Sequence, residues 1–116
     1  MRREFVPFDE LIIKKELDAL PSKDAEKLVA LMMHFEKCGL GNPSPAQIDD
    51  YGDGILRIRH IKPAYQGRAI YFASERTYGF EKLVILLVFK KETQKTPASV
   101  LETAKRRRTE WEKKQK

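Results

Sequence analysis

An α+β fold is expected for this chain: an N-terminal helical hairpin packed on a small twisted antiparallel sheet, with a basic C-terminal helix. Three observations carry that expectation. Apolar residues recur at helical spacing across residues 9–39. Between residues 55 and 89 the pattern changes to period-two alternation and a short apolar run. After Pro97 a thin helical stripe returns, loaded with lysine and arginine. The length of 116 residues fits one domain spanning 1–116.

Each element has its own signal. Residues 3–7, REFVP, read as a short extended segment, since Pro7 disfavours helix at Val6. From Asp9, the residues Leu11, Ile12, Leu17 and Leu20 outline a first helix that Pro21 closes. Ser22 reads as the N-cap of a second helix. Leu28, Leu31, Met32 and Phe35 follow at i, i+3, i+4 and i+7. Residues 39–54, GLGNPSPAQIDDYGDG, read as a loop because Gly, Pro, Asn and Asp dominate. Three strands are expected next, at Ile55–Ile61, Arg68–Ala73 and Leu83–Phe89. The last is almost wholly apolar, which marks it as the central strand, buried on both faces. The connections KPAYQG and RTYGFE are too short for parallel crossovers, so antiparallel pairing is expected. Thr96 and Pro97 open the last helix, on which Val100, Leu101, Ala104 and Trp111 form the stripe. Trp111 is expected to anchor it to the sheet.

Composition excludes several classes. Cys38 is alone, so no intrachain disulfide can form, and the usage suits a reducing cytoplasm. One Cys and two distant His, His34 and His60, give no zinc-finger spacing. The longest apolar run, Leu83–Phe89, is far short of the ~20 residues a membrane span needs. MRREFVPFDE turns acidic where an export signal would be apolar, so a cytoplasmic location is expected. No cofactor-binding motif or metal-ligand spacing is present.

The net charge of +6 is unevenly spread. Residues 1–53 carry net −4, residues 54–91 carry +6 and residues 92–116 carry +4. Such asymmetry points to a polyanionic partner or to a solvated basic face. Placing the charges on strands narrows the choice. Arg57 and Arg59 alternate with Leu56 and Ile58, so the two arginines share a face. Arg68 opens the next strand, and Lys90 and Lys91 close the apolar one. Guanidinium forks match phosphate, and strands hold them rigidly. Such a cluster either binds phosphate backbone, keeps the protein in solution, or stabilises the extra charge of a phosphodiester transition state. In RNA the substrate's own 2′-OH would be the nucleophile.

Other residues have two readings each. Cys38 lies one turn after His34, which permits a nucleophile–base pair, but a small buried thiol is the expected role. His60 faces the core side with Leu56 and Ile58, as a strand-end histidine or as a general base. Tyr71 is a packing residue. Tyr65 is expected to pack likewise, but in the loop beside Arg68 it is the better candidate of the two for stacking on a base.

Taken in order, ILRIRH, GRAIYF, LVILLVFKKETQKTP and LETAKRRRTEWEKK resemble the RelE/ParE toxin superfamily, in its HigB-like, phage-derived branch. The resemblance covers essentially the whole chain. FKKETQKTP and the downstream AKRR are its most specific parts. Arg59 and Arg68 match the family's strand arginines. Phe89, Lys91, Thr93, Gln94, Lys95, Thr96 and Pro97 match its exit motif. Arg57 stands where the family often has Glu, Gly67 where a larger residue is usual, and Glu92 replaces the second of paired lysines.

The resemblance implies the toxin of a type II toxin–antitoxin pair, a ribosome-dependent, metal-independent mRNA endoribonuclease that inhibits translation. Arg59, Arg68 and Lys91 would then be catalytic. Arg57, Lys90, Lys95, Tyr65, Arg106 and Arg107 would bind RNA. The implied partners are mRNA on the ribosome, ribosomal RNA and a cognate helix-turn-helix antitoxin, with no membrane partner. The competing reading is a non-catalytic module of the same fold, either a gyrase inhibitor or a nucleic-acid-binding phage protein.

Overall fold

The structure is a computed structural model that describes residues 2–41, 44–91 and 97–115. Eight elements follow in order. They are β1 (Arg2–Pro7), α1 (Glu10–Asp18), α2 (Ser22–Cys38), β2 (Ala46–Asp50), β3 (Ile55–His60), β4 (Gly67–Thr77), β5 (Phe80–Lys90) and α3 (Ala98–Lys114). The strands form one mixed sheet in the order β1-β5-β4-β3-β2. The α+β class is as expected, and three features of the arrangement differ.

First, the sheet is not wholly antiparallel, because β1 runs parallel to β5. Short connections force antiparallel pairing only from β2 to β5. β1 reaches β5 from the far end of the chain and is free of that constraint. Second, the segment expected to be a loop contains β2, an edge strand paired with β3. Its apolar residues are Ala46 and Ile48 alone, and the two aspartates that follow are poor strand formers. Third, the middle strand is β4. β5 lies between β1 and β4, and its run from Leu83 to Val88 is buried, as a strand covered on both faces must be. β4 and β5 also extend beyond the expected ends, as a hairpin whose polar tip turns at Tyr78 and Gly79.

The helices cover the sheet rather than chiefly one another. Only residues 19–21 separate α1 from α2, yet α1 lies mainly on β5 and α2 across β1, β3 and β4. Asp9 caps α1, its Oδ1 accepting from the Ile12 N–H at 3.1 Å. At α2 the capping position is Pro21, and Ser22 is already helical without a side-chain cap bond. Leu28, Leu31, Met32 and Phe35 are buried beneath α2, the stripe expected from their spacing. Phe5 meets Tyr71 edge-on at 5.3 Å and lies 6.0 Å from Phe35, joining β1, β4 and α2 in that core. Gly67 allows the close approach of α2 to β4. A Cβ there would stand 3.3 Å from the Asp24 carbonyl and 3.4 Å from Leu20 and Leu28 atoms.

α3 packs on the opposite face. Trp111 meets Phe72 edge-to-face at 5.8 Å, the anchor expected of it, and the Arg108 guanidinium lies 4.6 Å above the same Phe72 ring. Ala104 is fully buried on that side. The proposed cap Thr96 lies outside the described residues. No helix among the described residues is long and apolar enough to cross a membrane.

Candidate nucleic-acid interface

Strand pairing assembles the arginines that sequence alternation placed on one face. Arg59 of β3 stands directly opposite Arg68 of β4, and Arg57 opposite Ile70. All three project to the side that carries Phe72 and α3, by alternation from the Ile55–Phe72 pair. Like charges in direct cross-strand register disfavour pairing. The sheet therefore needs a counter-charge here, and β2 supplies it.

Asp49 lies opposite Arg57 in register. Its Oδ2 accepts from Arg57 Nε at 3.1 Å and Nη2 at 2.8 Å. The same oxygen is 3.6 Å from Arg59 Nε. Its Oδ1 accepts from Gln47 Nε2 at 3.4 Å. Burial by itself would raise the Asp49 carboxyl, but the bonds and charge of Arg57, with Gln47 and Arg59, hold it below the usual carboxylate range. Arg57 is buried and also lies 5.5 Å over the Tyr51 ring.

Arg68 is almost fully buried, at 1% exposure. Its Nη1 donates to the carbonyls of Tyr65 at 2.9 Å and Gly67 at 3.0 Å. Its buried Nε has no hydrogen-bond partner among the described residues. Burial, then the charges of Arg57 and Arg59, push its guanidinium down to about 10. It stays a cation at neutral pH, held next to two others around one carboxylate. An arrangement with surplus positive charge and a buried donor to spare is suited to an anion.

The remaining candidate residues are placed as follows. Lys90 is exposed, opposite Gly67, and Lys91 follows it with its backbone N–H bonded to the Gln66 carbonyl at 2.8 Å. Both lie at the end of the sheet where Arg59 and Arg68 pair. Tyr65 is half-buried, with its ring edge-on to His60 at 4.8 Å and Lys27 5.3 Å above it. His60 ends β3, and its Nδ1 accepts from the Lys62 N–H at 3.0 Å. Arg106 is exposed on α3. Arg107 is not brought to the cluster. It donates to Glu16 Oε2 at 2.8 Å and to the Leu86 carbonyl at 3.0 Å. Lys95 lies outside the described residues. Cys38 is exposed, against the expectation of a buried thiol, because α2 ends there and its buried stripe stops at Phe35. Among the described residues no three His, Cys, Asp or Glu side chains come together to hold a metal ion.

Sequence reading missed Asp49 and Gln47. Both sit in the Gly/Pro/Asp-rich stretch that reads as loop, and only the alternation around Ile48 hinted at a strand.

Three arginines are thus gathered on one sheet face of a small α+β fold, beside a single carboxylate. The family model described as phage-derived protein Gp49-like (DUF891) matches residues 15–109, from α1 to α3. The chain belongs to that Gp49-like family, which lies within the RelE/ParE-like toxin group. No curated protein matches the chain.

Proposed function

We propose that this protein is the toxin of a type II toxin–antitoxin pair, of the HigB-like kind, and a ribosome-dependent mRNA endoribonuclease. The observation that carries this reading is the juxtaposition of Arg59 and Arg68 in cross-strand register, with Arg57 beside them, in a chain of a toxin-group family. In the proposed reaction the RNA 2′-oxygen bonds to the adjacent phosphorus and loses its proton. The bond from phosphorus to the 5′-oxygen breaks, and that oxygen gains a proton. Charge builds on the phosphoryl oxygens, where preorganised guanidinium groups stabilise it most. Arg59, partly exposed, would meet the phosphate. Arg57 and Arg68, buried behind it, would add their field. Lys91, with Lys90, would assist the developing charge or the proton transfers. Tyr65 would stack on a base only where the base displaces Lys27 from above its ring. Arg106 and the basic end of α3 would meet ribosomal RNA. A cognate antitoxin with an acidic segment would mask the basic face.

A second reading has one observation in its favour. Arg57 and Arg68 are buried, which suits a module that binds an anion without cleaving it, such as a gyrase inhibitor. Expression of the chain followed by mapping of cellular RNA 5′ ends separates the two. New ends positioned within codons, absent in Arg68→Ala, support the nuclease. Intact mRNA with a DNA-damage response supports the binding module. Growth inhibition retained in a folded Arg68→Ala variant would sink the assignment of this site.

A further inference from the structure

We propose that Asp49 is an internal anion that holds Arg59 in reserve, and that the phosphodiester takes Arg59 from it. This rests on the reading of the arginine face as the RNA site. The two arginines bound to Asp49 are held differently. Arg57 grips Oδ2 with two nitrogens, at 3.1 and 2.8 Å, and is buried. Its fork is anchored, and leaving it would strand a buried cation. Arg59 reaches the same oxygen with one nitrogen at 3.6 Å, and its side chain is 20% exposed. Its Nη1 reaches the His60 carbonyl at 3.4 Å, again a long bond. Arg59 is thus the arginine that can leave.

The placement of the carboxylate supports the same division. Asp49 is 27% exposed and Gln47 steadies its other oxygen, so the carboxylate stays in place when Arg59 departs. One ionised oxygen shared by two guanidinium groups is what a phosphoryl oxygen would offer them. Without Asp49, Arg59 would face Arg68 across the strands with no other carboxylate bonded to either among the described residues. The carboxylate therefore keeps the empty site folded and competes with substrate for one of its cations. It is a regulator of the site that acts through Arg59.

The test uses the full chain and a short single-stranded RNA fully 2′-O-methylated, which binds but lacks the nucleophile. Binding is followed by fluorescence anisotropy over a range of salt. Folded Asp49→Asn should bind about fivefold tighter than the parent, the worth of an exposed ion pair removed from competition. Its log–log salt slope should steepen by up to about 0.7, because in the parent the carboxylate that Arg59 leaves draws in a solution cation and offsets part of the cation release from the RNA. Adding Arg59→Gln should abolish both gains. A merely structural Asp49 predicts weaker binding, the opposite sign. Should Asp49→Asn fail to fold, Asp49→Asn/Arg57→Gln removes the buried cation together with its partner. That variant should bind about fivefold tighter than folded Arg57→Gln alone, the reference that lacks the same cation. Unchanged or weaker binding in the folded variant, or gains that persist without Arg59, overturns the proposal. The RNA end mapping is read separately. Tighter binding without cleavage by the parent leaves this proposal standing and removes the nuclease reading.

Discussion

Arg59 and Arg68 face each other across β3 and β4, one partly exposed and the other at 1% exposure. Two cations in that register weaken the sheet, and Arg68 also bears the cost of burial. A fold that needed only stability would hold an apolar residue at position 68. Arg68→Met is therefore expected to leave the melting temperature unchanged or to raise it by a few degrees, since removing a buried charge is often neutral or stabilising. The same variant should lower RNA cleavage by at least about tenfold, or about 1.4 kcal/mol of transition-state stabilisation. Calorimetry and a cleavage assay on one preparation check both halves. A large loss of stability would show that Arg68 is structural.

Glu16 and Arg107 guard the sheet elsewhere. β1 stops pairing with β5 at Ile85, so the edge of β5 beyond that point needs other partners. Glu16 Oε1 accepts from the Val88 N–H at 2.9 Å, its Oε2 from Arg107, and Arg107 donates to the Leu86 carbonyl. The Arg107 guanidinium also lies 5.0 Å over the Phe8 ring. Glu16→Ala removes two of these bonds, those to Val88 and Arg107, at a mostly buried place. It should cost about 2–3 kcal/mol, the penalty for polar and charged groups left without partners. Asp18→Ala, which breaks the exposed Lys14–Asp18 pair, should cost no more than about 0.5 kcal/mol. Urea unfolding of both variants gives the comparison. Equal losses would show that the β5 edge is held by something else.

The three-helix outline, the burial of Leu83–Val88 and the shared face of Arg57 and Arg59 were legible because each rests on a local period. β2 and the β1–β5 pairing were not, since edge strands carry weak periodic signals and parallel pairing joins distant segments. The short connection between their strands gave antiparallel pairing, but the register that sets Arg59 opposite Arg68 came only with the structure. Asp49 was illegible because its role exists only across the β2–β3 register. Arg107 shows the reverse error. A run of three arginines reads as a binding tail, yet the middle one is drawn inward by Glu16, a residue 91 positions away.

Asp49 makes the fold sensitive to acid. Its carboxyl is held below its unfolded value of 3.8. Its contribution to stability is thus fully present above that value and is lost as pH falls through the lower, folded one. Below that point Arg57 and Arg59 stand beside a neutral acid. Chemical unfolding measured from pH 6 downward should show a fall in stability below about pH 4. Asp49→Asn should be less stable at pH 6, and the gap from the parent should narrow as acid is added. Parallel curves at all pH values would detach the carboxylate from Arg57.

His60 has a comparable dependence nearer neutrality. Its imidazole is held below the usual 6.5, by burial first and then by Lys62 and Lys27. As pH falls below 6.5 the unfolded chain takes up the proton more readily, so stability declines until the folded histidine titrates too. Protonation would also remove the Nδ1 lone pair that accepts from the Lys62 N–H. That bond shapes the turn leading to Tyr65, whose carbonyl accepts from Arg68. His60→Asn removes the titration while keeping a hydrogen-bonding side chain at the strand end. The parent should lose stability between pH 7 and 5, and His60→Asn should lose less over the same range. RNA binding by the parent should change in parallel only if the turn carries the effect to Arg68. An imidazole signal in NMR that titrates at or above 6.5 would contradict the first half, and stability insensitive to pH would contradict the second.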